Sequence, residues 1–71
     1  PVAPPSVEHL ALTMAIMGLK PKYREVVLLH YDQGFTIRQT AAALGVTPPT
    51  VVNRLNKAQA ELRRALEEGD A

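Results

Sequence analysis

Seventy-one residues with 46% apolar and 21% charged side chains suffice for one globular core and leave no room for a second domain or a deep catalytic cleft. The chain has no cysteine, so disulfides and thiolate metal sites are excluded, and its net charge of +1 is by itself weak evidence for a nucleic-acid partner. No apolar run approaches the roughly 20 residues of a membrane span and nothing resembles a signal peptide, so the sequence reads as soluble, cytoplasmic and without a membrane partner.

Pro1 to Pro5 are too proline-rich for regular structure and read as a linker tail, 1–5. Ser6 is a helix N-cap and Gly18 a stop, which predicts a first helix to about Met17. Leu10, Met14 and Met17 recur at helical spacing on it and are expected in the core. A second helix is predicted from Pro21, where proline forfeits no hydrogen bond, to Gly34. It carries Val26-Val27-Leu28-Leu29, with Tyr23, Val27 and Tyr31 on one face, and should be the most buried helix.

The third helix is short. Thr36 and Gln39 form a capping box at its start, Gly45 ends it, and Ala41, Ala42 and Ala43 offer a small surface for close helix approach. The fourth opens at Thr47 as N-cap with Pro48 in the first helical position and runs to about Glu67, before Gly69. Val51, Leu55, Ala58, Leu62 and Leu66 form its inward stripe. Advancing about 100° per residue puts Pro49, Asn53, Asn56, Lys57 and Ala60 opposite, with Val52 at the border and Arg54 on the other flank.

Only Gly45, Val46 and Thr47 separate the last two helices, a spacing that makes them cross steeply with Val46 plugging the gap. The expected fold is therefore all-α: a four-helix helix-turn-helix domain over 6–68, without a wing, followed by a disordered tail over 69–71. In that geometry the second helix of the motif projects its N-terminal part into the major groove of double-stranded DNA.

Charge distribution agrees with this, because no acidic residue occurs between Gln33 and Ala60 while Arg38, Arg54 and Lys57 do. The helix N-terminal amides and the Thr47 and Thr50 hydroxyls suit a phosphate. Asn53 and Asn56 match the N6 and N7 edge of adenine, Lys57 the O6 and N7 acceptors of guanine, and Val52 a thymine methyl.

An enzyme fits poorly: His9 and His30 fall on different helices with neither metal spacing nor an acidic partner, and no phosphate loop or nucleophile elbow is present. No metal, cofactor or catalytic residue is expected. A protein-interaction module is the stronger rival, in which Leu10, Met14 and Met17 form an interface instead of core.

In order and spacing, Leu19-x-Pro21-x-x-Arg24-Glu25-Val26-Val27-Leu28-Leu29-x-Tyr31, Gly34-Phe35-Thr36, Ala41-x-x-Leu44-Gly45-Val46-Thr47 and Thr50-Val51-x-x-Arg54-Leu55-x-x-Ala58 resemble region 4 of the bacterial sigma-70 family, in its short extracytoplasmic-function group. The resemblance implies a winged-helix-like domain lacking the wing, a reader of the promoter −35 element in transcription initiation. Implied partners are core RNA polymerase, through its beta flap, and an anti-sigma factor. A nucleoid location is implied as well.

The base-facing set carried over is Val52, Asn53, Asn56 and Lys57, with Arg54 and the helix start near phosphates. Many relatives carry a cation where Val52 stands, acidic residues at Arg38 and Gln39, and a larger apolar residue at Thr40. The valine implies weaker or altered reading, and basic Arg38 adds a phosphate contact. A phage antiterminator or stand-alone regulator with the same module would present the same residues.

Overall fold

Each helix begins and ends where local chemistry stops its propagation. The computed structural model describes residues 6–69, and among these the regular structure is helical, with no strand. Helix α1 spans Val7–Met17, with the Ser6 hydroxyl accepting from the His9 N–H at 3.0 Å and Gly18 closing its end. Helix α2 spans Pro21–Val27 and continues without a break into a π-turn over Leu28–Asp32, where the Gln33 N–H donates to the Leu28 carbonyl at 2.9 Å. Such turns inside helices are frequent at functional sites.

Gly34, at φ 75°, reverses the chain, and the protonated Nδ1 of His30 donates to the Phe35 carbonyl at 2.7 Å, fastening the loop to the helix it leaves. Helix α3, Ile37–Leu44, is short enough to need help at both ends. Thr36 and Gln39 exchange both capping-box hydrogen bonds, at 2.9 and 3.0 Å. At the other end Gly45 adopts φ 70°, and the Val46 and Gly45 amides donate to the Ala41 and Ala42 carbonyls, the Schellman pattern. Helix α4, Pro48–Gly69, is 22 residues long. At 1.5 Å per residue it measures about 33 Å, close to the longest dimension of the molecule, 36 Å.

The core is small because the molecule is flat, 14 Å along its shortest axis. Leu19, Tyr23, Val26, Val27, Ala41, Val51, Leu55 and Ala58 are buried together, with Ile16, Ile37, Leu44, Val46 and Leu62 packed at the margin. The second helix contributes three of the eight buried residues, as expected of the most buried helix, and α4 contributes three more. The predicted inward stripe of α4 holds: Val51, Leu55 and Ala58 are buried and Leu62 and Leu66 half-buried. Val46 does plug the turn.

Three expectations about the core are corrected. Leu10, Met14 and Met17 are 50%, 75% and 58% exposed, so they lie outside the core. Leu12, Ile16 and Leu19 form a stripe of equal helical spacing, and the fold turns its far end inward, with Leu19, just past α1, buried and Ile16 half-buried while Leu12 stays 41% exposed. A helix apolar on all sides gives periodicity no way to choose between faces. Tyr31 is 57% exposed because it lies at the end of the second helix, beyond the buried cluster. Of the three alanines only Ala41 is buried, since a steep crossing brings a single turn of α3 against its neighbours.

The expected tail over 1–5 and the last two residues lie outside the described range, while Gly69 is the final residue of α4. No described helix is long and apolar enough to cross a membrane.

Thr40 is fully buried and its hydroxyl has no hydrogen-bond partner. Leaving a buried polar group unpaired costs about 1–3 kcal/mol. Thr40→Val should therefore raise stability by roughly 1 kcal/mol in urea denaturation, and a loss of stability would show that the hydroxyl has a partner. At Gly45 any side chain meets open space but a left-handed backbone. Gly45→Ala is expected to cost about 1–2 kcal/mol, whereas Gly18→Ala, at φ −83° with ordinary contacts around the new Cβ, should be neutral or slightly stabilising in the same assay.

Candidate nucleic-acid interface

Burial of Val51, Leu55 and Ala58 fixes the rotation of α4 about its own axis, and so decides what its other side displays. Val52, Asn53, Asn56 and Lys57 are all exposed, spread over the first three turns of the helix. Arg54, on the flank, is half-buried. Asn53 and Asn56 each bring an amide donor and a carbonyl acceptor, Lys57 a charged donor, and Val52, 43% exposed, an apolar contact. A face of this kind can read base edges, and nothing on it is engaged in a hydrogen bond within the protein among the described residues.

The start of the helix presents a narrower anion cradle than an ordinary N-terminus. Four N–H groups at a helix start lack intrahelical partners. Here two of those positions are Pro48 and Pro49, which have no N–H, so the Thr47 and Thr50 amides remain. The next amide, on Val51, already donates to the Thr47 carbonyl at 3.2 Å. Beside the two remaining amides the Thr47 and Thr50 hydroxyls share a hydrogen bond at 2.9 Å, which leaves one of the two hydroxyl protons free to donate outward. Arg38 is exposed in the first turn of α3, one helix away in the same motif.

A second feature was not evident from periodicity. A groove of about 300 Å³ runs between α1 and the second helix, walled mainly by Leu12, Ile16, Met17, Val27, Leu28 and Tyr31, with His9, Thr13 and Asp32 at its edges. It is predominantly apolar. The π-turn supplies one wall, and Tyr31 on that wall also accepts a hydrogen bond from Nε2 of Gln59 in α4, at 2.7 Å. No sequence signal pointed to Gln59, which is separated from Tyr31 by 28 positions and belongs to no motif.

The two histidines take ordinary roles. His30 is half-buried and holds the Phe35 carbonyl, and His9 is exposed at the groove edge. Among the described residues no three His, Asp or Glu side chains converge as a metal site would require.

Comparison with known proteins places this arrangement. The chain is 44% identical over 61 residues to the RNA polymerase sigma-E factor of Streptomyces avermitilis, an alignment covering 84% of this chain and 34% of that one. It is 43% identical over 63 residues to the RNA polymerase sigma-E factor of Streptomyces antibioticus, covering 89% of this chain and 35% of that protein. With the Streptomyces coelicolor protein of the same name it shares 42% over 57 residues. The chain thus spans about a third of the length of the relatives it matches. The family model for sigma-70, region 4, matches residues 9–68, reaching into all four helices, and the chain belongs to that family.

Proposed function

We propose that the chain is the promoter-reading module of a sigma factor, recognising the −35 element of double-stranded DNA through α4 and working with core RNA polymerase. One observation carries the reading: of the residues that can address base edges, Asn53, Asn56 and Lys57 lie exposed on the side of α4 opposite its buried stripe, and Val52 lies exposed at its border. Family membership and relatives named RNA polymerase sigma-E factor support the same reading. The role is one of binding, without catalysis, in the bacterial cytoplasm at the nucleoid.

In this account Asn53 and Asn56 address adenine, Lys57 addresses guanine and Val52 packs on a thymine methyl. Thr47 and Thr50 hold one phosphate through two amides and the one hydroxyl proton that their mutual hydrogen bond leaves free, while Arg38 and Arg54 neutralise others. Hydroxyls contribute hydrogen bonds without releasing counterions, so few phosphates are neutralised and free-domain affinity is modest. Each good bidentate base contact discriminates by about 1–3 kcal/mol, which suits a module tethered to a larger assembly.

The groove between α1 and the second helix takes a helix of the beta flap of RNA polymerase. Its apolar walls match the apolar face of an amphipathic helix, and Leu10, Met14 and Met17 extend that surface along the outside of α1. The exposure of these three side chains is what favours protein docking, and it complements the DNA reading instead of competing with it. An anti-sigma factor covering the same surface would separate the chain from the polymerase.

Selection of duplexes from a random pool tests the base readers. The wild-type chain should enrich one motif, and Asn53→Ala and Lys57→Ala should each relax a different position of it while melting like wild type. If both variants enrich the wild-type motif unchanged, these side chains do not read bases. For the groove, Leu12→Asp is expected to weaken binding to purified core RNA polymerase by about tenfold or more, equivalent to roughly 1.4 kcal/mol, with affinity for the selected duplex retained. Equal polymerase binding by the variant would remove the groove from the interface.

A further inference from the structure

The apolar groove and the reading helix share one side chain. Tyr31 stands on the groove wall, and its hydroxyl accepts a hydrogen bond from Gln59 in α4 at 2.7 Å. Gln59 follows Lys57 by two residues and Asn56 by three on the same uninterrupted helix, so a force on Gln59 acts on the element that carries the base readers.

The pose of Tyr31 is set by more than packing. Tyr31 is 57% exposed and gains little from burial, so the hydroxyl contact gives the side chain its direction. The backbone beneath it is the π-turn, and the adjacent His30 ring meets it edge-on with centroids 4.8 Å apart and planes at 62°. His30 is itself pinned to the Phe35 carbonyl. Tyr31 is therefore braced on the side of the second helix and bonded on the side of α4, with its ring free to be touched from the groove.

We propose that Tyr31 is a positioning residue that couples the groove to the DNA-reading face. A partner helix seated in the groove presses on the ring, and the bond to Gln59 passes the change to α4; DNA seated on α4 is felt in the groove by the same route. The inference rests on the reading of α4 as the DNA-binding helix. Coupling between two binding events is reciprocal, and the route through Tyr31 and Gln59 predicts that DNA seated on α4 displaces the Tyr31 ring even with the groove empty. One neutral hydrogen bond limits its size to about a fivefold change in affinity.

The test uses the whole chain, methyl-labelled for NMR, and the duplex that the wild-type chain itself selects. Methyl groups of Val27, Leu28, Leu12 and Ile16 line the groove beside the Tyr31 ring, whose ring current makes them sensitive to its movement. In wild type, duplex addition should shift these methyls together with the backbone amides of residues 52–57. Tyr31→Phe and Gln59→Leu should abolish the methyl shifts and leave the amide shifts in place, with duplex affinity changed about fivefold at most.

Gln59→Glu, whose carboxylate can accept from the phenol, should restore the groove response, an outcome a purely structural role for Gln59 would not give. Tyr31 is exposed enough for Tyr31→Phe to fold, and Gln59→Leu breaks the same bond from its other end. Groove methyls that stay still in wild type while the amides move would overturn the coupling and leave the DNA reading standing. So would methyl shifts that persist in Tyr31→Phe and Gln59→Leu. Amides of α4 that respond to no duplex would overturn the DNA reading and the coupling with it.

Discussion

Burial of one stripe on α4 governs the rest of the molecule. Val51, Leu55 and Ala58 are at most 5% exposed and join the residues of the second and third helices in the only substantial apolar cluster among the described residues. That cluster is thin, so no other contact could rotate α4 against it. Because side chains on a helix are locked in direction by the backbone, seating this stripe obliges Val52, Asn53, Asn56 and Lys57 to face outward. The Schellman turn at Gly45 then sets the angle between α3 and α4, and Val46 seals it.

The elements that were legible in the sequence are those with local chemistry behind them. Ser6, the Thr36–Gln39 box, Gly45 and Pro48 each specify a helix end through a few atoms within reach of each other, and the helices begin and end there. The face of α4 was legible because its apolar residues occupy one side only. The face of α1 was not, since Leu10, Met14 and Met17 form one good stripe and Leu12, Ile16 and Leu19 another, and only the packing partner chooses. The π-turn leaves no mark in the sequence, because Leu28 to Asp32 would serve equally in an α-helix. The contact between Tyr31 and Gln59 is tertiary and could come only from the fold.

On the proposed reading of α4, the site shows how a weakly charged chain could address DNA. Proline at two successive positions removes two N–H groups from the start of α4 yet stiffens it, and the hydrogen-bonded pair of Thr47 and Thr50 hydroxyls beside it keeps one proton to donate. Cations are few, Arg38, Arg54 and Lys57 over the whole acid-free window. Such a surface favours reading over grip. In the proposed role, the apolar groove and the exposed outer side of α1 would serve a tethered reader, because a partner that holds the module near DNA raises its effective concentration there.

The central claim is that α3 and α4 bind DNA through few phosphates and several base edges. The dependence of duplex affinity on salt concentration tests it most directly. With Arg38 and Arg54 as the cations assigned to phosphates and Lys57 to a base, a logarithmic plot should fall linearly with a slope of roughly −2, at about −0.9 per phosphate neutralised. A slope near zero, or no binding to any duplex at low salt, would contradict the account and leave the chain as a protein-docking module.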